Sequence, residues 1–390
     1  MTDTPFDFDK VTDRRGGDSY KWEVASEAHA LPMWVADMDF PTAPCIRRAL
    51  EKRVEHGIFG YVSVPNAFYE ATINWFARRH GLHMERQWML YTSGVVPALS
   101  AIIKALTRTG DKVLALTPAY NCFFSSIRNN GCTLESSPLV RHGDSFFIDF
   151  DDFERRAALP EVKIFLLCNP HNPVGRVWTA DELRRLGDIC LRNGVFVISD
   201  EIHCELTMPG YTYTPYASLG PAYLLHSATC TSPSKAFNTA GLQIANILIA
   251  DGMVRQAVDK AININEVCDV NPFGVAALVA AYNEGEPWLN ALRNYLFANY
   301  TYLSDFFSQQ LPQFPVTKLE ATYLVWVDVS ALGQDSPTVC RELRQKEQLW
   351  LNDGRMYGTD APYVRINIAC PRSVLADGLN RLARAWGRAT

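Results

Sequence analysis

Between about residue 88 and residue 250, short apolar runs alternate with longer segments of helical periodicity, and that alternation predicts an α/β fold on a mostly parallel sheet. The runs are residues 88–92, 112–116, 162–168, 195–200, 223–229 and 246–250. Several are apolar at consecutive positions, as strands covered on both faces must be, so the sheet is expected to be sandwiched by helices. Helices are predicted between the strands, among them 95–108 and 180–193. Thr179 opens the second as an N-cap, with Glu182 three residues on. Past Asn271-Pro272-Phe273-Gly274 the chain reads as helical to residue 307. Pro312 and Pro315 then punctuate it, and strands at 323–329 and 363–369 with helices at 337–347 and 373–386 make a second, smaller α/β unit. The first 44 residues, with Pro32, Pro41 and Pro44 and little periodicity, read as an extended arm. The expected division is therefore an arm over 1–44 that joins the small domain, a large domain over 45–285 and a small C-terminal domain over 286–390.

Charge and cysteine content narrow the partners. With 37 Lys and Arg against 42 Asp and Glu among 390 residues, the formal net charge is −5, which leaves no broad basic footprint for nucleic acid or an anionic membrane. The longest hydrophobic stretches, 244–250 and 275–282, fall short of the roughly 18 residues that a membrane helix needs. The start, MTDTPFDFDK, lacks the basic and apolar parts of a secretory signal, so a cytoplasmic location is expected. Ten cysteines lie scattered through apolar segments with no CxxC pair, a pattern of reduced, buried thiols. Cys168 with His171 and His203 with Cys204 each offer two metal ligands without a second pair at zinc spacing, so no metal is expected.

Four segments that follow predicted strands carry residue types suited to chemistry. Thr92-Ser93-Gly94-Val95-Val96-Pro97 lies between a strand and a helix; it is either an ordinary turn or an anion site made of N–H groups at a helix start. Ile198-Ser199-Asp200-Glu201-Ile202-His203 sits at the carboxyl end of a buried run, where open α/β sheets bind ligands. Asp200 can hold a cationic ring nitrogen there, or cap the next helix. Thr231-Ser232-Pro233-Ser234-Lys235 places one of only ten lysines among hydroxyls and apolar residues. A desolvated lysine has lowered basicity and forms Schiff bases with carbonyl compounds, whereas an ordinary loop lysine does not. In Cys168-Asn169-Pro170-His171-Asn172-Pro173 two Asn–Pro steps fix a turn from which Asn172 can donate to a phenolate oxygen. Arg365, in a β-rich run, needs a partner, and a carboxylate is the natural one. Tyr120 can stack on a flat ring, and His203 and Tyr323 suit either a substrate pocket or the core.

With Asn172, Asp200 and Lys235 in this order and spacing, the chain resembles the fold-type I pyridoxal-phosphate enzymes of the class I/II aminotransferase superfamily. Within them it is similar to the MalY/PatB group of cystathionine β-lyases. The segments that carry the likeness are Phe6-Asp7-Phe8-Asp9, Ala36-Asp37-Met38-Asp39-Phe40, His56-Gly57-Ile58-Phe59-Gly60-Tyr61, Ser199-Asp200-Glu201-Ile202-His203, Ser234-Lys235-Ala236-Phe237-Asn238 and Arg365-Ile366-Asn367. The resemblance implies a pyridoxal 5'-phosphate cofactor bound as a Schiff base to Lys235, with Asp200 on the pyridine nitrogen, Asn172 on the ring oxygen and Tyr120 stacked on the ring. Ser93, Gly94, Val95, Ser232 and Ser234 would hold the phosphate, His203 would join the cofactor contacts, and Tyr61 would reach in from the second subunit of a homodimer. Arg365, with Ala36 and Tyr61, would receive the substrate. Gln243 stands where many relatives have a phosphate-binding arginine, which shifts that load to N–H groups and hydroxyls. The implied reaction is α,β-elimination from L-cystathionine or a related cysteine conjugate to a thiol, pyruvate and ammonia. Aminotransfer on a small amino acid is the alternative, and a regulatory protein that binds a transcription activator is a lesser one.

Overall fold

The computed structural model describes residues 5–23, 30–264 and 269–387, so Cys268, the first four residues of the expected arm and the last three residues lie outside it. The main sheet has seven strands: β1 (Met89–Thr92), β2 (Lys112–Thr117), β3 (Thr133–Pro138), β4 (Val162–Cys168), β5 (Phe196–Asp200), β6 (Ser227–Thr231) and β7 (Ala245–Leu248). Their order is β1-β7-β6-β5-β4-β2-β3, with every neighbouring pair parallel except the two that involve β7.

The continuous apolar run of β4 has a direct structural cause. Ile164, Leu166 and Cys168 point to one face, where Val95, Ala98, Leu99, Ile102 and Ile103 of helix α3 (Val95–Leu106) cover them. Phe165 and Leu167 point to the other, against Leu183, Leu186, Ile189 and Cys190 of helix α4 (Ala180–Asn193). From Ile164 on, a two-residue period with apolar neighbours on both sides leaves no position for a polar residue, and Lys163 before it is exposed at the start of the strand. At the start of α4 the expected capping box is present: Glu182 N–H donates to Thr179 Oγ1 (3.2 Å) and Thr179 N–H to Glu182 Oε2 (2.8 Å).

Helices α1 (Pro44–His56) and α2 (Asn66–His80) pack on α5 (Pro272–Glu284), which α6 (Glu286–Gln310) follows. A second sheet of β8 (Leu324–Asp328), β9 (Asn352–Asp353) and β10 (Tyr363–Asn367) is antiparallel, in the order β8-β10-β9, and α7 (Ser336–Glu347) and α8 (Arg372–Trp386) belong to the same region of chain. The N-terminal segment joins that region. Leu31–Pro32 pairs in parallel with Leu349–Trp350, and Asn367 N–H donates to Met33 O (3.0 Å).

Two expectations shift. The run 223–229 divides into a short helix, Pro221–Leu225, and β6, which starts at Ser227; Pro221 occupies the first helical turn, where its missing N–H costs nothing. The helical stretch 271–307 divides at Gly285, where Pro287 follows within the first turn of α6. A side chain at Gly285 would lie 2.5 Å from both Ala281 O and the Phe237 ring, so the break is also a point of close packing. Among the described residues no helix is long and apolar enough to cross a membrane.

Candidate active site

Because β1, β2, β4, β5 and β6 run parallel, their carboxyl ends meet along one edge of the sheet. β7 runs the other way, so its beginning, after Gln243 and Ile244, lies at the same edge. There a cavity of about 180 Å³ is lined by Ala36, Ser93, Gly94, Val95, Tyr120, Asn172, Asp200, His203, Ser234 and Lys235, all of them residues singled out from the sequence. Val96, Pro97, Cys168, Ile202, Ala240, Gln243 and Ile244 complete the wall. Sequence reading gave Val96, Cys168 and Ile202 no function of their own, although each lies within a segment it marked.

Asp200 ends β5 and is buried. Its Oδ1 accepts from Ile202 N–H (3.2 Å), and its other oxygen has no hydrogen bond from any described residue. Burial, with Glu201 beside it, pushes its carboxyl up to about 7, against the pull of Ile202 N–H and Lys235. Lys235 faces it with the opposite tendency. Burial and the Arg365 charge bring its ammonium down to about 8, while Asp37 and Asp200 act the other way. Its Nζ donates to Ala36 O (2.6 Å), which also accepts from Tyr323 Oη (2.9 Å).

Asn172 uses its side-chain oxygen to accept from Arg365 Nη1 (3.2 Å), its backbone N–H donates to Cys168 Sγ (3.4 Å), and its side-chain NH2 has no hydrogen-bond partner among the described residues. Tyr120 lies between β2 and the helix Asn121–Asn129, and burial, then neighbouring Cys122, keeps its phenol protonated. At the other end of the cavity α3 begins. Ala98 N–H is the first to bond back, to Gly94 O (3.1 Å), so the N–H groups of Val95 and Val96 at the helix start have no partner among the described residues. Ser234 adds a hydroxyl with no partner among the described residues.

Four singled-out residues lie outside the lining, and one of them, Tyr323, is buried with its hydroxyl on Ala36 O. Ser232 is buried behind Ser234: its hydroxyl donates to Ile244 O (2.7 Å) and accepts from Ser234 N–H (3.1 Å), so it shapes the loop. Arg365, in the middle of β10, packs over the Tyr357 ring and donates to Trp34 O (2.9 Å) as well as to Asn172. Tyr61 is 96% exposed on the loop between α1 and α2.

The segment from Trp34 to Phe40 straps across this end of the sheet, and its hydrogen bonds explain its place. Asn238, at φ 54°, accepts from Met38 N–H and donates to Met38 O and Phe40 O; Asn367 donates to Val35 O and Asp37 O; Asn352 donates to Trp34 O. Arg14 Nη2 pairs with Asp37 (2.6 Å) and its Nη1 with Asp39 (2.8 Å), while Lys21, 1% exposed, pairs with Asp39 (2.7 Å). Sequence reading missed these asparagines as strap holders, because an asparagine in a loop carries no mark of where its amide points. Together the groups suit a flat ligand with an anionic end at α3, a basic ring nitrogen at Asp200, an acidic oxygen at Asn172 and a carbonyl within reach of Lys235.

Residues 31–382 match the aminotransferase class I and II family. Cystathionine beta-lyase PatB of Bacillus subtilis (strain 168) is 39% identical over 383 residues, which are 97% of this chain and 99% of that one. Protein MalY of Escherichia coli (strain K12) is 36% identical over 387 residues, 97% and 98% of the two chains. Among solved structures, cystalysin from Treponema denticola, which contains a pyridoxal 5'-phosphate cofactor, superposes with a TM-score of 0.95 at 32% identity, over 97% of this chain and 98% of that one. The pyridoxal-phosphate-bound C–S lyase from Staphylococcus hominis gives 0.93 at 34% identity, over 98% and 99%.

Proposed function

The chain belongs to the aminotransferase class I and II family, and from that membership and the cavity's chemistry we propose that it is a pyridoxal-phosphate-dependent C–S β-lyase. It would cleave L-cystathionine or a related cysteine conjugate, with water, to a thiol, pyruvate and ammonia. The observation that carries the cofactor assignment is the meeting of Lys235, the unpaired oxygen of Asp200 and the free amide of Asn172 in one cavity. The β-lyase assignment draws support from the names of PatB and of the S. hominis structure.

The residues fit the cofactor group by group. Ser93, Gly94, Val95 and Ser234 would hold its phosphate through N–H and hydroxyl groups, with Ser232 fixing Ser234 from behind. Among the described residues that line the cavity Lys235 is the only cation, so Gln243 brings no positive charge to the phosphate end. Asp200 would accept the ring N–H, Asn172 would donate to the ring oxygen, and Tyr120 would cover a face of the ring. When bound, pyridoxal phosphate supplies an electron sink for the pair left on the substrate's Cα.

Lys235 is the base suited to take the Cα proton, since its lowered basicity leaves a larger unprotonated fraction near neutral pH than a surface lysine has. Arg365 would turn guanidinium N–H groups to the substrate α-carboxylate, close to the Ala36 carbonyl where Lys235 and Tyr323 converge. Tyr61 would reach the same site from the second subunit of a homodimer.

An assay of cystathionine with the cofactor-loaded protein tests the reading. Pyruvate and free thiol should appear in equal amounts without any added keto acid, and borohydride should fix the cofactor to Lys235. Strict dependence on a keto acid would make the protein an aminotransferase instead.

A further inference from the structure

Thr322, just before β8, is a β-branched residue held at φ 76°, in the left-handed region that such side chains avoid, and it is fully buried. Two hydrogen bonds keep it there: its N–H donates to Leu206 O (2.8 Å), and its Oγ1 accepts from Leu324 N–H (3.1 Å). A strained backbone persists only where its surroundings over-determine it, and such positions cluster at working sites. The next residue is Tyr323. Its ring is buried edge-on to His203 at 6.4 Å, where His203 Nδ1 is sealed without a partner. Its backbone oxygen accepts from Ile368 N–H (2.9 Å), and its hydroxyl donates to Ala36 O (2.9 Å), the carbonyl to which Lys235 Nζ also donates (2.6 Å).

The peptide groups around that carbonyl are fixed as well. Asn367 donates to the carbonyls on either side of it, Val35 O (2.6 Å) and Asp37 O (2.7 Å). A carbonyl oxygen has two lone pairs, so Tyr323 takes one and leaves the other for Lys235. A neutral lysine amine has two N–H groups and one lone pair, and only the lone pair accepts a proton. Donating one N–H to a fixed acceptor restricts how the amine turns and so aims the lone pair. Resting on the reading of Lys235 as the base, we propose that Tyr323 is a positioning residue, holding the Ala36 carbonyl on which the Lys235 amine is oriented to take the Cα proton. Burial, then Asp37, push its phenol up against the pull of Arg365, so it stays a donor and is no acid in the reaction. A core tyrosine needs only some partner for its hydroxyl. This one shares its acceptor with Lys235, and a strained residue holds it in place.

The test begins with borohydride trapping at Lys235 and pyruvate release from cystathionine, where failure of either would sink the underlying reading itself. Given both, Tyr323→Phe removes the hydroxyl and keeps the ring. It should lower kcat about tenfold, the size of one lost hydrogen bond, and leave KM within about twofold. The isotope effect with substrate deuterated at Cα should rise, because proton transfer slows relative to the other steps. The cofactor-free protein gives a second readout. With its competitor for Ala36 O removed, the Lys235 ammonium keeps a stronger hydrogen bond, so the pH midpoint for its acylation by trace acetic anhydride should rise by about half a unit. The charges facing it, Arg365 against Asp37 and Asp200, with the Cys122 thiol, are the same in both proteins. A fall in kcat with an unchanged isotope effect, or a Lys235 midpoint that stays at the wild-type value, would overturn the proposal and leave the cofactor reading intact. Should Tyr323→Phe not fold, 3-fluorotyrosine at the same position, a stronger donor of similar shape, should lower the midpoint, and an unmoved midpoint there would equally overturn it.

Discussion

Asp200 shows how a binding group acts against the fold that holds it. Its carboxyl goes from 3.8 to about 7 on burial, so the folded, cofactor-free protein binds its proton more tightly than the unfolded chain does. Below about pH 4 the group is protonated in both states and costs nothing. The cost then grows as pH rises toward about 7 and is constant above. Asp200→Asn keeps an oxygen for Ile202 N–H and removes the charge. It should therefore raise the unfolding free energy of the cofactor-free protein by about 1–3 kcal/mol at about pH 8 and by little at about pH 4, while weakening cofactor retention. Urea titrations at the two pH values measure this, and a gain independent of pH would refute it. Legibility at this scale was uneven. Lys235 was readable because lysine is scarce and its neighbours carry no charge. Ser232 looked the same in sequence as Ser234, yet its hydroxyl is committed to Ile244 O. His203 could be a satisfied or an unsatisfied histidine until its surroundings were known.

Elements buried on both faces were the readable ones. β4 and β5 carry the burial pattern in their own composition, and the capping box of α4 is local, so both appear in the sequence. β3 went unread because Thr133-Leu134-Glu135-Ser136-Ser137-Pro138 is a half-exposed edge strand without apolar runs. The strap from Trp34 to Phe40 has no period because distant asparagines hold it. A further tie between elements lies behind the site, where Glu205, just after β5, accepts from Trp75 (2.6 Å) and Arg79 (2.9 Å) of α2 and pairs with His80 (2.7 Å). Burial works to raise the Glu205 carboxyl, but His80, Arg79 and Trp75 outweigh it and bring it down to about 2. A lowered carboxyl stabilises the fold above its ordinary range, and that stability is lost as pH falls from 4.5 toward about 2. Glu205→Gln should cost about 3 kcal/mol at neutral pH, and the difference from wild type should shrink through that acid window. Unfolding curves that stay parallel down to about pH 3 would contradict the ion-pair account.

Among the described residues, the loop between α1 and α2 carries bulky apolar side chains that the chain's own fold does not cover. On the loop between α1 and α2, Ile58 and Phe59 are well exposed and Tyr61 is almost bare, while Phe59 stacks on Phe273 at 5.8 Å. Consecutive bulky apolar residues in water are costly for a monomer and ordinary at an interface. If the active site is shared between two subunits, the same loop both joins the subunits and delivers Tyr61. Joining and delivering then separate by mutation. Phe59→Glu, at an exposed position, should leave the fold intact, shift the protein from dimer toward monomer in sedimentation, and weaken cofactor retention. Tyr61→Phe should keep the dimer and weaken retention several-fold, the size of one lost hydrogen bond. A Phe59→Glu protein that sediments as a monomer and still holds its cofactor at wild-type strength would show that each chain builds its site alone, and the role given to Tyr61 would fall with that result.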